Sequence, residues 1–172
     1  MPHPADSPRT GRGPVRICFV CLGNICRSPT AAAVMAHRAA AEGVRDRLVI
    51  ASAGTAGWHV GAPADPRSAA ELARRGVPLD HAARRFGAGD FARFDMVLAM
   101  DHDNVAALHR MAPDRHARDR VALLRAFDPE AGDDLAVPDP YYGGDDGFRD
   151  VFEMVDRACR GVIAHLRAAG RL

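Results

Sequence analysis

Cys21 and Arg27 are separated by five residues, a spacing that can place a thiol and a guanidinium on one tight turn. Residues 15–20 before this turn form an apolar run, and residues 29–38 after it begin with proline and continue with strong helix formers. The free backbone amides at the start of a helix bind anions and favour a thiolate. An arginine there can hold two oxygens of a phosphoryl group. The spacing therefore predicts a phosphate-binding loop with Cys21 as its nucleophile.

A carboxyl group that could donate a proton lies much later in the chain. Residues 137–143 have the sequence Val-Pro-Asp-Pro-Tyr-Tyr-Gly, so Asp139 stands between two prolines that restrict its backbone. Protonation of a poor leaving group lowers the barrier to its departure. Tyr141 and Tyr142 are the two tyrosines of the chain and could form an aromatic wall beside a phenyl ring. We predict that this segment is an acid loop for phosphoryl transfer.

The two motifs together resemble those of the low molecular weight protein tyrosine phosphatases. Residues 20–29, Val-Cys-Leu-Gly-Asn-Ile-Cys-Arg-Ser-Pro, match the family signature near the N-terminus, and the resemblance covers most of residues 15–169. It implies that Cys21 forms a phosphocysteine, that Arg27 and the loop amides hold the phosphoryl oxygens, and that Asp139 acts as acid and then as base. It also implies phosphotyrosine-containing proteins as substrates, inorganic phosphate as product, and neither a metal nor an organic cofactor.

The resemblance assigns further residues. It implies that substrate is contacted by Leu22, Gly23, Asn24, Ile25, Cys26, Ser28, Trp58, Tyr141 and Tyr142. It implies a supporting polar network of Ser52, His81 and Asp101, with Asn24 holding the loop in a strained shape and Ser28 donating to the sulfur. It further implies that Cys26 forms a reversible disulfide with Cys21, which protects the nucleophile from irreversible oxidation.

Simpler structural roles are open for several of these residues. Cys21 and Cys26 could be small buried hydrophobes or, together with Cys18, zinc ligands. Asp139 before a proline could merely start a turn. Ser28 and Asp101 could simply cap helices. His81 could be a surface residue, and Trp58 could anchor its loop to the core.

Two other functions compete with a phosphatase. An arsenate reductase on the same fold uses a similar loop but relays electrons through further cysteines, and Cys159 is the only cysteine outside residues 18–26. A non-catalytic phosphotyrosine-binding module would lack the nucleophile, the arginine or the acid, whereas Cys21, Arg27 and Asp139 are all present. The sequence therefore favours the phosphatase.

The elements that must position these residues alternate along the chain. Apolar runs predict strands at residues 15–20, 47–52, 95–100 and 121–124, and helical patterns cover residues 29–38, 65–75, 103–111 and 148–169. Residues 128–147, which include Asp139, are expected to form a loop. This alternation predicts an α/β fold with helices on both faces of a parallel sheet. The resemblance specifies a three-layer, four-stranded arrangement with the phosphate-binding loop after the first strand.

Length and composition agree with a small enzyme. We expect one domain over residues 15–172, preceded by a flexible tail of residues 1–14 that has no signal-peptide core. The formal net charge of +1 argues against nucleic acid as a partner. No stretch approaches the roughly twenty apolar residues that span a membrane. Four cysteines without disulfide-like spacing favour a reducing cytoplasm, and we expect a monomer or weak dimer.

Overall fold

A computed structural model describes residues 13–172 of the chain. Residues 1–12, most of the predicted tail, lie outside the described residues. The strands are β1 (Val15–Cys21), β2 (Leu48–Gly54), β3 (Met96–Ala99) and β4 (Val121–Leu123). The helices are α1 (Arg27–Ala41), α2 (Pro66–Arg74), α3 (His102–Met111), α4 (Arg115–Arg118) and α5 (Asp145–Ala168). Short 3₁₀ helices cover Arg45–Arg47, Ala88–Ala92 and Leu124–Phe127.

The four strands form one parallel sheet in the order β2-β1-β3-β4. The chain runs from β1 to β2 on one side and then crosses to β3 on the other side of β1, so the strand order reverses next to β1. In such sheets, ligands bind in the crevice at the carboxyl ends of the strands beside this reversal. The turn after β1 occupies that position, and the predicted fold class is confirmed.

Alternate residues of β1 point into two separate cores, because successive side chains of a strand face opposite sides of the sheet. Ile17, Phe19 and Cys21 pack with residues of α1 and α5, whereas Cys18 and Val20 pack on the other face with a cluster that includes side chains of α3. The sheet is therefore the middle of three layers. Cys18 and Cys21 lie on opposite faces.

Helix α5 is the longest element, and its inner face covers α1. Buried apolar residues recur along it, and Asp156 accepts two hydrogen bonds from Arg38 of α1, at 2.6 and 2.8 Å. Within residues 13–172, no helix is long and apolar enough to cross a membrane.

The predicted elements are all present, with ends that differ by up to three residues. Helix α5 begins at Asp145 rather than at Phe148, so the predicted loop is too long at its end. Asp145 and Asp146 lie in the first turn, where negative charge is favourable to the helix dipole. Helix α4, which was not predicted, is a single turn capped by the side chain of Asp114.

Candidate active site

The turn between β1 and α1 has the shape of an anion cradle. Cys21 ends β1 and Arg27 begins α1, and both are almost completely buried. Asn24 at the middle of the turn has φ of 57°, and it is the only residue other than glycine with positive φ among the described residues. Asparagine tolerates this left-handed conformation better than most residues. The turn brings the Asn24 N–H to 3.3 Å from the Cys21 Sγ, to which it donates.

A polar network fixes the underside of this turn. The Asn24 side chain donates to Ser28 Oγ at 2.7 Å and to Ser52 Oγ at 3.0 Å, and its Oδ1 accepts from the Arg84 N–H at 2.9 Å. His81 Nε2 lies 2.6 Å from the Asn24 carbonyl oxygen. Since a carbonyl can only accept, Nε2 must carry a hydrogen and donate. His81 thus belongs to the network, and the alternative of a free surface position is wrong.

Ser28 connects the network to the sulfur. Its Oγ accepts from Asn24, so its own hydrogen can be directed to the Cys21 Sγ at 3.0 Å or to the Ala53 carbonyl at 3.4 Å. The sulfur is the nearer acceptor. Ser28 lies inside the first turn of α1, whose N-cap residue is Cys26, so the capping alternative is wrong for Ser28.

Two partners orient the guanidinium of Arg27. Its Nη1 donates to Asp101 Oδ2 at 2.6 Å and to the Val137 carbonyl at 3.0 Å. The other oxygen of Asp101 accepts from the Asn104 N–H at 2.8 Å and caps α3. The supporting and capping roles considered for Asp101 are therefore both present, one on each oxygen.

Asp139 lies over the cradle at the mouth of the site. Its Oδ2 is 3.5 Å from Arg27 Nη2, and its Oδ1 accepts from the Tyr141 N–H at 3.1 Å. The hydrogen bond from Tyr141 closes a turn, which is the simpler role considered for Asp139. The same turn directs Oδ2 of Asp139 at the cradle. The side chain is 39% exposed, so a substrate or water can reach it.

A cavity of about 150 Å³ lies between the cradle and the acid loop. Every residue from Cys21 to Arg27 except Asn24 lines it, and Trp58, His59, Asp139, Tyr141 and Tyr142 surround them. Asn24 and Ser28, predicted to contact substrate, lie beneath the cavity instead. Trp58 is 74% exposed, so the alternative that it anchors its loop to the core is wrong. The rings of Tyr141 and Tyr142 meet edge to face at 4.9 Å.

The four cysteines are all free thiols. Burial raises the pKa of the Cys26 thiol to about 12, and the negative charge of Asp65 adds to this. Burial likewise raises the pKa of Cys18 to about 12, on the other face of the sheet from Cys21. The zinc alternative therefore fails, because Cys18 cannot join Cys21 and Cys26. In the described range 13–172, no group of three or more His, Cys, Asp or Glu could hold a metal ion.

Sequence reasoning missed four residues that shape the site, namely His59, Asp65, Arg67 and Val137. His59 lines the cavity beside Gly23. Asp65 and Arg67 connect the cradle to the acid loop, and Val137 acts through its backbone. Only Asp65 had a local signal, since an aspartate before Pro66 is typical of a helix start.

A parallel α/β sheet that carries a thiol in an anion cradle, with a carboxyl group opposite it, defines a cysteine-dependent phosphate-binding enzyme class. The model of the family "Low molecular weight phosphotyrosine protein phosphatase" matches residues 16–172. A low molecular weight protein-tyrosine-phosphatase of Streptomyces coelicolor is 52% identical over 153 residues, which are 88% of this chain and 93% of that protein.

A pig (Sus scrofa) low molecular weight phosphotyrosine protein phosphatase is 39% identical over 88% of this chain and 95% of its own length. Among solved structures, a protein tyrosine phosphatase from Entamoeba histolytica with Hepes in the active site superposes with a TM-score of 0.85 at 35% identity. That match covers 92% of this chain and 99% of the other. The chain belongs to the low molecular weight phosphotyrosine protein phosphatase family.

Proposed function

We propose that this enzyme hydrolyses phosphotyrosine in proteins, and small aryl phosphates, through a phosphocysteine on Cys21. The observation that carries the proposal is the position of Asp139. Its carboxyl group comes from a distant loop, lies 3.5 Å from the Arg27 guanidinium, and lines the same cavity as the Cys21 thiol. Nucleophile, anion ligand and proton donor therefore face one substrate volume.

In the first step, the Cys21 sulfur forms a bond to phosphorus while the bond from phosphorus to the tyrosine oxygen breaks. Asp139 gives its proton to that oxygen, so tyrosine leaves as a neutral phenol. Arg27 is held through Nη1, which leaves Nη2 and Nε to bind phosphoryl oxygens as their charge increases. The backbone amides of the cradle bind the remaining oxygen charge.

In the second step, Asp139 is a carboxylate and accepts a proton from water. The water oxygen forms a bond to phosphorus, the bond from phosphorus to sulfur breaks, and inorganic phosphate leaves. The hydroxyl of Ser28, 3.0 Å from the sulfur, stabilises the departing thiolate by donating to it. The enzyme returns to its starting state, and the cycle needs no cofactor.

The rim of the cavity supports an aryl substrate. Leu22, Trp58, Tyr141 and Tyr142 are exposed large hydrophobic residues that line the mouth. Such a rim can pack on both faces of a phenyl ring, whereas the short side chain of phosphoserine would not reach it. We assign phosphotyrosine-containing proteins as the substrate class on this basis.

The arsenate reductase alternative needs a cysteine outside the cradle that can relay electrons, and Cys159 is unsuited to that role. Cys159 is fully buried in α5, its Sγ donates to the Ala31 carbonyl at 3.8 Å, and burial raises its pKa well above the usual range. Cys159 therefore cannot undergo thiol–disulfide exchange with Cys21 in the cradle. The four free thiols also support a cytoplasmic location.

Three variants test the mechanism, with kcat/KM measured on phosphotyrosine and on an aryl phosphate with an acidic phenol. We expect Cys21→Ser to retain less than about a thousandth of the activity on both, because the nucleophile is lost. We expect Asp139→Ala to lose about a hundredfold on phosphotyrosine and much less on the better leaving group. Asp133→Ala, an exposed aspartate of the same loop, is the control and should match the wild type.

Full activity of Cys21→Ser would overturn the phosphocysteine. Equal losses on the two substrates in Asp139→Ala would remove Asp139 as the acid.

A further inference from the structure

The segment that carries Asp139 has no regular structure of its own. Residues 128–144 form neither helix nor strand, yet one carboxyl oxygen within them must face the cradle. On the N-terminal side of Asp139, Val137 fixes the segment: its N–H donates to the Met100 carbonyl at 2.7 Å, and its carbonyl accepts from Arg27. A loop held on one side only can still pivot, so the contacts on the other side decide where Asp139 lies.

Arg67 of α2 provides the contacts on the C-terminal side. Its Nη2 donates to the Tyr141 carbonyl at 3.0 Å, and its Nη1 donates to the Gly143 carbonyl at 3.4 Å. The guanidinium also lies over the Phe148 ring, 4.6 Å from its centroid, and 5.7 Å from that of Tyr141. One side chain thus binds two backbone groups and two rings at the end of the acid loop.

Arg67 is itself held in place by Asp65. The carboxylate accepts from Arg67 Nε at 3.1 Å and from Nη2 at 3.0 Å, and its side chain is only 7% exposed. The hydrogen bonds from Arg67 hold the pKa of Asp65 below its usual range, so the pair is charged. A paired fork of this kind fixes the plane of the guanidinium.

Asp65 also connects this pair to the cradle. Its backbone N–H donates to the Ile25 carbonyl at 2.8 Å, in the middle of the phosphate-binding turn. A continuous path of hydrogen bonds therefore runs from Ile25 through Asp65 and Arg67 to Tyr141 and Gly143. The path joins the element that binds phosphate to the element that carries the acid.

We propose that Arg67 is a positioning residue, which fixes the acid loop relative to the cradle so that Asp139 meets the leaving oxygen of the substrate. This rests on the proposed function and names a residue that the motifs did not include. Arg67 does not touch the reacting atoms. Its loss lets the C-terminal side of the loop move, which impairs proton donation and leaves the cradle intact.

This role requires the planar geometry of an arginine side chain and not only its positive charge. The three nitrogens of one planar group bind two carbonyls and one carboxylate, with Nη2 donating to both Asp65 and Tyr141. A lysine ammonium is a point donor that cannot match that geometry. Arg67→Lys keeps the charge and loses the fork. Arg67→Gln loses both and retains the backbone N–H through which Asp65 caps α2.

The test measures kcat/KM for a series of aryl phosphates whose phenols range from weakly to strongly acidic. We expect Arg67→Gln to lose about tenfold on phosphotyrosine and less than about twofold on the most acidic phenol, since general acids contribute most where the leaving group is poor. Arg67→Lys should lie between Arg67→Gln and the wild type. Inhibition by inorganic phosphate, which reports the cradle, should stay within about twofold of the wild type in both.

Arg74→Gln is the matched control. Arg74 is in the same helix, is more exposed, and pairs with Glu71. It should follow the wild type across the whole series. A loss that is equal for all phenols, or no loss, in Arg67→Gln would overturn the positioning role. If Arg67→Gln fails to fold, Arg67→Lys decides by the same criterion.

The outcomes separate this inference from the proposed function. A wild-type protein that hydrolyses no aryl phosphate, or a fully active Cys21→Ser, would overturn the function itself. If kcat/KM of the wild type depends on the leaving group as expected, and the Arg67 variants show the same dependence, only the inference about Arg67 is overturned.

Discussion

Asn24 has a left-handed backbone, and its side chain is completely buried beneath the cradle. The side-chain amide donates hydrogen bonds to the hydroxyl oxygens of Ser28 and Ser52 and accepts one from the N–H of Arg84. Backbone and side chain therefore both constrain the turn. They can be separated experimentally because glycine accepts the backbone conformation without providing the amide.

We expect Asn24→Ala to lower the free energy of unfolding by about 3 kcal/mol, of which about 2 comes from unsatisfied buried partners and about 1 from the left-handed backbone. Asn24→Gly should lose about 1 kcal/mol less. Urea unfolding measures both values. Equal losses in the two variants would show that the left-handed conformation of Asn24 carries no strain.

Motif spacing indicated Cys21, Arg27 and Asp139 as candidates because each has a side chain whose chemistry is specific to its type, and all three line one cavity. Val137 could not be found in this way, since it acts through an N–H and a carbonyl that nearly every residue has. Arg67 could not be found either. Its role depends on how α2 packs beside the start of α5, and no local pattern encodes that packing.

At the scale of elements, α5 comes very close to the 3₁₀ turn Leu124–Phe127. A methyl group at Gly161 would overlap the Phe127 carbonyl oxygen. Glycine inside a helix normally lowers stability relative to alanine. Here the absence of a side chain allows the helix to lie against the turn.

We therefore expect Gly161→Ala to lower the free energy of unfolding by about 2 kcal/mol, the opposite sign from the helix-propensity effect. Gly89→Ala is the control, because a Cβ at Gly89 would have no neighbour within 4 Å. It should leave the thermal midpoint almost unchanged. A higher midpoint for Gly161→Ala would contradict the close approach.

Hydrophobic periodicity predicted every strand and every long helix, because burial on one or both faces leaves a regular signal. It failed where charge and capping set the ends. Asp145, Asp146 and Gly147 are typical of loops in isolation, yet they form the first turn of α5. Periodicity also gave no indication of α4, which is too short to show one.

At the scale of the whole molecule, the fold separates the thiols: Cys21 and Cys26 line the cavity, and the other two do not. Cys18 and Cys159 lie in cores on opposite faces of the sheet, and Cys26 is buried beside the cradle. The raised pKa of about 12 for Cys18 and Cys26 means that both remain neutral thiols at neutral pH, and that their thiolates form only as pH approaches that value. Cys21 differs from these thiols because its Sγ accepts a hydrogen bond from the Asn24 N–H.

We expect iodoacetamide to alkylate only Cys21 in the folded protein between pH 7 and pH 9, as measured by peptide mass spectrometry, because thiolates are the reactive form. Phosphate should protect Cys21 by filling the cavity. Labelling of Cys26 at a comparable rate would contradict the raised pKa of its thiol.

The proposed redox role of Cys26 gives a related prediction. Peroxide should oxidise Cys21 first, and Cys26 should then close a disulfide that a thiol reductant reopens. Inactivation of Cys26→Ala should therefore be recovered less completely by reductant than that of the wild type. Equal recovery in the two proteins would exclude the disulfide.

The hydrogen bond from Arg27 to the Val137 carbonyl joins residues 110 positions apart. A growing chain leaves the ribosome from its N-terminus, so Cys21 and Arg27 emerge long before the loop that orients the guanidinium. The nucleophile and the arginine are thus synthesised early, and the backbone carbonyl that orients the arginine is synthesised late. Until its last third has been made, the nascent protein carries the signature without the enzyme.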